Sequence, residues 1–293
     1  MKSSELGVRM KQYEDVNKTY LIDKLPVVLR LDGKSFHSFT KGMERPFDKI
    51  LNTAMQETLK SLCEEISGCV IGYTQSDEMT LVLVDYDKAE SQPWFGNVKR
   101  KIESVGAALA TRNFNRIFAE MVVTAYDEAL QSGEDIETVK KKFAPYTNRM
   151  WDALFDCRAF NLPLHEVENN LIWRQQDCVR NSINSVGQAN FSHKQLQGKN
   201  CSQVQEMLFQ EKGINWNDFP THLKRGTCCI KVPVTLNPGT DKEVVRQKWI
   251  IDTEIPTFTK DREYIRKRIF YEPKVATTCT NVSDVSSENG DTN

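Results

Sequence analysis

The chain has 293 residues, of which 39% are hydrophobic and 27% are charged, and its formal net charge is −1. This composition is typical of a soluble globular protein with a substantial core, and it excludes nucleic-acid binding by overall charge alone. Any nucleic-acid surface must therefore be a local patch.

No apolar run approaches the roughly 20 residues that a membrane helix needs. Residues 1–15 are polar and lack the apolar segment of a secretory signal. We therefore expect a cytoplasmic protein without a membrane partner. The eight cysteines form no Cys-x-x-Cys pair, and the four histidines do not join them at zinc-finger spacing. Free thiols in a reducing compartment are the expected state.

The first two thirds of the chain contain alternating strand and helix patterns. Short apolar runs predict strands, and apolar residues spaced three and four apart predict helices. In chain order the predicted elements are a helix over Ser4–Asn17, a strand over Pro26–Leu31, a helix over Phe47–Ile66, strands over Gly68–Tyr73 and Met79–Val84, a helix over Phe95–Met121 and a strand over Ala153–Phe160.

This β-α-β-β-α-β order predicts an α+β fold of the split βαβ, ferredoxin-like type, with an antiparallel sheet and helices on one face. Thr124–Tyr146 is expected to be a charged helical insertion. Later elements are helices over Leu164–Phe191 and Ser202–Lys212 and strands over Thr227–Val234 and Val244–Ile251. We expect one domain over residues 1–272, with a core over about 20–165 and a mainly helical half over 166–272. The Ser-, Thr- and Asn-rich residues 273–293 are expected to be a disordered tail.

Acidic residues stand at the ends of two predicted strands. Asp32 ends the first strand, and Asp77 and Glu78 lie in the short connection between the next two. In a split βαβ sheet the first strand lies beside this hairpin, so Asp32 and Asp77 are expected to converge on one edge. Two carboxylates without Cys or His ligands favour Mg²⁺, and a pair of such ions can promote in-line phosphoryl transfer.

Each acidic motif by itself also fits a turn or an exposed hairpin, as Asp and Gly often occupy turns. Basic residues nearby could bind a triphosphate. Lys34 and Ser35 follow the first acid, Arg45 precedes a helix N-terminus, and Arg100 lies within Lys99-Arg-Lys101. Each of these cations alone also fits a solvated surface.

Five motifs together resemble the tRNA-histidine guanylyltransferases and their bacterial and archaeal relatives, in order and spacing. They are Leu31-Asp-Gly-Lys-Ser-Phe-His37, Arg45-Pro46-x-Asp48, Gly72-Tyr-Thr-Gln-Ser-Asp-Glu78, Phe155-Asp-x-Arg158 and Trp173-Arg-Gln-x-Asp-Cys178. The resemblance covers most of residues 5–235.

The resemblance implies a polymerase-like palm that adds nucleotides to tRNA 5′ ends in the 3′-to-5′ direction. The 5′ end is first activated with ATP or GTP, and the hydroxyl of an incoming nucleoside triphosphate then attacks. Two Mg²⁺ ions are implied as cofactors, tRNA and nucleoside triphosphates as partners, and a dimer or tetramer as the assembly.

The resemblance also implies roles for individual residues. Metal ligands would be Asp32, Asp77 and the backbone carbonyl of Gly33, and Glu78 matches the adjacent catalytic acid. Arg45 stands where the family usually has Lys. The implied nucleotide-binding residues are Lys34, Ser35, Phe36, His37, Arg45, Asp48, Ser76 and, by a loose alignment, Arg100. The residues nominated for tRNA contact are Arg158, Arg174, Arg180, Asn181, Lys224 and Arg225.

One departure from the family pattern concerns the segment after Cys178. The tRNA-histidine-specific enzymes carry His-Ile-Asn-Asn there, whereas this chain has Val179-Arg-Asn-Ser182. The change resembles the branch that performs template-directed 5′-end repair. Both this repair and G addition to tRNA-histidine remain open from the sequence.

Two rival hypotheses share part of this pattern. A palm-type nucleotide cyclase would have the same pair of carboxylates but no need for the 173–181 segment or for RNA. A non-catalytic RNA-binding protein with a split βαβ sheet would carry exposed aromatics on its central strands. The predicted central strands offer only Tyr73.

Overall fold

The structure is a computed structural model, and it describes residues 4–239 and 244–270. The predicted tail over 273–293 lies outside the described residues. The helices are α1 (Glu5–Asp15), α2 (Phe36–Phe39), α3 (Lys49–Glu65), α4 (Lys99–Gln131), α5 (Ile136–Thr147), α6 (Glu166–Asn190), α7 (His193–Leu196), α8 (Cys201–Lys212), α9 (Thr221–Arg225) and α10 (Glu263–Ile269). The strands are β1 (Val27–Gly33), β2 (Cys69–Gln75), β3 (Glu78–Leu83), β4 (Phe155–Asn161), β5 (Thr227–Leu236) and β6 (Val244–Asp252).

The six strands form one antiparallel sheet in the order β4-β1-β3-β2-β5-β6. The first four strands have the split βαβ arrangement, so the predicted fold class is confirmed. β5 and β6 extend the same sheet beyond β2. Pairing of β5 with β2 covers only residues 227–230, and the hairpin of β5 and β6 continues past that point.

Helices cover both faces of the sheet, which corrects the expectation of one covered face. On one face Leu29 and Leu31 of β1 pack with α3 and α4. On the other face Ile71 and Tyr73 of β2 pack with α6 and α10. The strands are buried on both sides wherever helices lie over them, which explains why β2 and β3 are continuous apolar runs rather than alternating ones.

Local sequence signals set most helix boundaries. The side chain of Asp48 accepts a hydrogen bond from the backbone N–H of Leu51 and so caps α3. Gly213 ends α8 in a left-handed conformation (φ 66°). α4 continues to Gln131 instead of ending near Met121, because no Gly or Pro occurs between Met121 and Gly133. The predicted insertion is therefore the end of α4 followed by the separate helix α5.

Candidate functional site

The predicted acidic pair lies at one edge of the sheet, the one formed by the ends of the central strands β1, β2 and β3. Asp32 pairs in register with Glu78 of β3 on one side and with Asp156 of β4 on the other. Asp77 occupies the turn between β2 and β3, and its backbone carbonyl accepts a hydrogen bond from the Gly33 N–H at 3.0 Å. The end of β1 and the hairpin turn are thus joined directly, and they place Asp32 and Asp77 together, as the strand order predicts.

The surroundings of both carboxyls destabilise their ionised forms. Burial raises the pKa of Asp32, and the charge of Glu78 raises it further, whereas Arg30 lowers it. Burial also raises the pKa of Asp77, and Asp32 adds to this effect, although the Ser76 hydroxyl donates to Asp77 at 3.0 Å and lowers it. This edge therefore carries negative charge that the neighbouring protein groups do not fully compensate, which is the electrostatic condition for a cation site.

The third acid has a different environment. Glu78 is buried, and both of its carboxylate oxygens accept hydrogen bonds from Arg174 at 2.8 Å. A further bond of 2.9 Å comes from Arg30. Arg174 itself is 3% exposed and also lies 3.5 Å from Asp177. Glu78 is thus committed to two arginines, which fix it beside Asp32.

The burial of Arg174 leads to a stability prediction. Arg174→Met should lower the free energy of unfolding by about 3–5 kcal/mol, because Glu78 would remain buried with only Arg30 as a partner. The double variant Glu78→Gln/Arg174→Met should recover part of that loss. Urea unfolding midpoints measure both effects. A loss below about 1 kcal/mol, combined with weaker tRNA binding, would contradict this assignment and return Arg174 to the RNA surface.

A cleft of about 420 Å³ opens next to the acidic edge. Its walls come from the segment between α2 and α3, from the β2–β3 turn, from the middle of α6 and from α9. The predicted residues that line it are Phe36, His37, Arg45, Asp48, Ser76, Asp77 and Asn181. Among the lining residues, all of them in the described part of the chain, Arg45 is the only Lys or Arg.

The lining residues are held in different ways. Phe36 is buried in an aromatic cluster with Phe39, Phe114 and Phe155, so it presents a rigid apolar wall. Asp48 is buried, and its carboxylate accepts hydrogen bonds from the Glu44 N–H at 3.0 Å and the Tyr146 hydroxyl at 2.5 Å, in addition to capping α3. Asp48 therefore orders the segment that presents Arg45.

Three residues predicted to bind nucleotide do not line the cleft. Lys34 and Ser35 are exposed in the turn after β1. Arg100 lies at the start of α4, where Val98 bridges to Tyr20. That end of α4 adjoins Val27 at the opposite end of β1, roughly 17 Å from Asp32 at about 3.3 Å per strand residue. The prediction that Arg100 binds nucleotide is corrected, because α4 begins at the opposite end of the strands and runs from there towards the site.

The residues nominated for tRNA contact form a first group with exposed side chains and a second group whose side chains are buried or bonded to the backbone. Arg158 is exposed on β4, and Arg180 and Asn181 are exposed on α6, where both donate to Asp177. Arg174 is buried, and Arg225 donates to the backbone of Ile255 at 3.0 Å. Lys224 donates to the backbone carbonyl of Asn217. The structure therefore places the first group, but not Arg174, where RNA can reach the side chains.

Several polar lining residues were missed by the sequence analysis. They include Asn52 on α3, His222 on α9 and a row on α6 that follows Cys178. The row consists of Ser182, Ser185 and Gln188, and it lies beside Asn181, which the sequence analysis had nominated. Spacings of three and four place these side chains on one helical face, so a row of small and amide side chains on that face was the available signal. Burial lowers the pKa of His222.

The donor set at the edge fits Mg²⁺. No group of three or more His, Cys, Asp or Glu side chains that could hold a metal ion by itself occurs within residues 4–239 and 244–270. Asp32 and Asp77 offer two carboxylates, and Mg²⁺ is commonly bound by one or two carboxylates together with water and substrate phosphates. The poor charge compensation of both carboxyls is consistent with this.

Two further observations concern the rival hypotheses and the membrane. Tyr73, the only aromatic residue on the predicted central strands, is 1% exposed and donates to the Arg225 carbonyl at 2.9 Å. It is unavailable for base stacking on the sheet.

Within the described residues, no helix is both long and apolar enough to cross a lipid bilayer.

Comparison with known proteins follows from this geometry. The profile of the family described as Thg1: tRNAHis guanylyltransferase matches residues 7–163, just over half of the chain. The tRNA(His) guanylyltransferase of Schizosaccharomyces pombe is 27% identical over 238 residues, which cover 77% of this chain and 80% of that protein. An uncharacterised protein of Acanthamoeba polyphaga mimivirus is 26% identical and covers 75% of both chains.

Solved structures are similar over more of the chain. A bacterial tRNA(His) guanylyltransferase-like protein in complex with ATP has a TM-score of 0.75 at 40% identity, over 92% of this chain and 100% of that one. A complex of such a bacterial protein with GTP has a TM-score of 0.69 at 37% identity, over 91% and 100%. The Saccharomyces cerevisiae enzyme, at 21% identity and a TM-score of 0.59, shares the fold.

Proposed function

Since the chain belongs to the tRNAHis guanylyltransferase family, a family of nucleotidyltransferases, we propose that it adds nucleotides to the 5′ end of tRNA in the 3′-to-5′ direction. The observation that carries the proposal is the acidic edge of Asp32 and Asp77 beside the cleft that contains Arg45 and Ser76. Complexes of the bacterial relatives with ATP and GTP support nucleoside triphosphates as substrates.

The proposed roles follow from position and charge. The guanidinium of Arg45 would bind phosphate oxygens, and Ser76 would contact the nucleotide at the hairpin turn. Asp32 and Asp77, with the Gly33 carbonyl, would hold two Mg²⁺ ions. Bound Mg²⁺ would neutralise phosphate charge and favour the deprotonated attacking hydroxyl. A triphosphate beside two carboxylates needs such cations, because Arg45 is the only Lys or Arg among the residues that line the cleft.

The proposed substrate surface lies beside the cleft. Arg158 on β4 and Arg180 with Asn181 on α6 are exposed and would contact tRNA. We propose template-directed repair of shortened 5′ ends as the reaction, because Val179 replaces the histidine of the tRNA-histidine-specific enzymes. A single nucleotidyltransferase domain over residues 1–272, a dimeric or tetrameric assembly and a cytoplasmic location belong to the same proposal.

Incubation with labelled nucleotides tests the function. The purified chain is mixed with a tRNA that lacks its 5′ nucleotide, with Mg²⁺, ATP and each labelled nucleoside triphosphate in turn. Extension of the RNA by one or more nucleotides at its 5′ end is the expected result. Formation of a cyclic nucleotide without RNA extension would instead identify a palm-type cyclase.

Arg45 is expected to determine the apparent affinity for nucleotide. Arg45→Ala should raise the KM for nucleoside triphosphate by about 10- to 100-fold, since a hydrogen bond to a charged group contributes about 1.5–3 kcal/mol. Arg45→Lys should retain most of the activity, because Lys also binds phosphate as a point charge. The affinity for tRNA should not change in either variant.

Arg100→Ala is the matched control for Arg45. It removes an exposed arginine at the far end of the sheet, and its KM should equal that of the parent protein. An unchanged KM in Arg45→Ala, or an equal rise in both variants, would contradict the assignment of Arg45 to the triphosphate.

A further inference from the structure

The face of the sheet on which α6 packs is only partly covered by helices. α6 and α10 pack over β2 and over Val82 of β3. On β4 at the edge of the sheet, Asp156 and Arg158 remain exposed, and Arg30 of β1, the cross-strand partner of Arg158, is partly exposed. We call the surface formed by Arg30, Arg158 and the neighbouring Trp173 the open shelf. It borders the Asp32 end of β1.

Trp173 is the aromatic residue of this shelf. Its side chain is 51% exposed, although an indole gains free energy from burial. The guanidinium carbon of Arg174 lies 3.7 Å from the centre of the indole ring, and that of Arg30 lies 5.7 Å away. Arg174 is itself fixed by both carboxylate oxygens of Glu78. Trp173 is therefore an exposed ring held in one orientation by a buried ion pair.

The two arginines of the shelf differ in their acidic partners. Arg30 and Arg158 lie directly opposite each other on β1 and β4, an arrangement that is unfavourable without a counter-charge. Glu78 neutralises Arg30, whereas the nearest acid to Arg158 is Asp156, at 3.8 Å between two largely exposed side chains. The guanidinium of Arg158 is therefore exposed and accessible to a phosphate.

We propose that Trp173 stacks on the 5′-terminal base of the RNA substrate, while Arg158 binds a phosphate of the same strand. This inference rests on the proposed function, and it names the residue that presents the RNA end to Asp32. Base stacking on an aromatic side chain is tolerant of base identity, as an enzyme that acts on different 5′ ends requires. Trp173 is connected to Asp32 by successive contacts. Its ring contacts Arg174, and Arg174 donates to Glu78. Glu78 is in turn the cross-strand partner of Asp32.

A binding experiment that needs no catalysis tests the stacking. The RNA is an acceptor-stem hairpin with 2-aminopurine as its 5′-terminal nucleotide, and the fluorescence of this base falls when it stacks. Binding of the full chain should quench the signal. Trp173→Phe should retain the quenching and bind within about threefold of the parent protein. Trp173→Ala should abolish the quenching and weaken RNA binding roughly 5- to 150-fold.

Controls separate stacking from other roles. Phe209→Ala on α8 removes an aromatic side chain of similar exposure, 56%, and should leave both RNA affinity and quenching unchanged. The KM for nucleoside triphosphate should be the same in all three variants. Quenching that persists in Trp173→Ala would overturn the proposal, and so would a change of oligomeric state in that variant, which would make Trp173 a subunit contact. Absent nucleotide addition with normal quenching would contradict only the proposed function.

Discussion

Replacing Asp32 or Asp77 with alanine is expected to lower nucleotide addition by about a thousandfold or more while the chain still folds. Both carboxyls lie at the edge of the sheet beside the cleft, and within residues 4–239 and 244–270 neither accepts a hydrogen bond from an arginine as Glu78 does. Their loss removes the two acids proposed to hold Mg²⁺. Single-turnover assays at saturating Mg²⁺ measure the effect, and Asp15→Ala on the exposed helix α1 is the control.

Replacing Asp32 or Asp77, which is expected to lower activity, should at the same time raise the stability of the folded chain. The fold raises the pKa of both carboxyls above the ordinary value, so the folded state binds their protons more tightly than the unfolded state. This contribution to stability is complete below the ordinary Asp pKa of 3.8 and is lost as the pH rises through the raised values. At neutral pH and without divalent ions, Asp32→Asn and Asp77→Asn should therefore raise the melting temperature.

Mg²⁺ completes this test. A ligand at a hundred times its Kd stabilises a folded protein by about 2.7 kcal/mol, so Mg²⁺ should raise the melting temperature of the parent protein. The double variant Asp32→Asn/Asp77→Asn should show no such increase. Near-parental turnover in either alanine variant, or an equal response of the double variant to Mg²⁺, would rule out these two acids as the metal ligands.

The sequence predicted the acidic edge because its causes are local. The apolar run before Asp32 and the five-residue connection around Asp77 specify a strand and a hairpin. The split βαβ connectivity then leaves few strand orders, and the structure has the expected one. The predictions that Asp48 and Arg45 bind nucleotide also depend on a local signal. The helix start at Lys49 fixes the segment of both residues beside the hairpin turn.

The errors concern features set by tertiary contacts. Arg174 on an amphipathic helix is expected at the surface, and only the buried Glu78, 96 positions earlier in the chain, makes its burial favourable. The distance of Arg100 from the site depends on the direction in which α4 crosses the sheet, which no local pattern encodes. Ser182, Ser185 and Gln188 of the cleft were missed because Ser and Gln have no motif of their own and were recognisable only as one helical face.

The other large effect concerns the choice of nucleotide, and it depends on the residues of α6 after Cys178. Addition of G without a template requires the protein to supply hydrogen bonds that a paired base otherwise supplies. Val179 has no side-chain donor or acceptor, and it packs against the apolar cluster between α6 and α8 instead of lining the cleft. Among residues 179–182, Asn181 and Ser182 line the cleft. Selection by the tRNA's own opposite strand is the alternative that remains chemically available to this site.

We therefore expect template-directed repair to exceed non-templated G addition by about a hundredfold. A mispaired end leaves donors and acceptors without partners, and each such group costs about 1–3 kcal/mol. Two substrates at equal concentration provide the measurement: a 5′-truncated tRNA with cytosine opposite the gap, and full-length tRNA-histidine with an unpaired adenine at that position. A guanine opposite the gap, in place of the cytosine, should redirect incorporation from G to C. Equal extension of both tRNAs, with G added whatever base stands opposite, would show that Val179 does not separate the two activities.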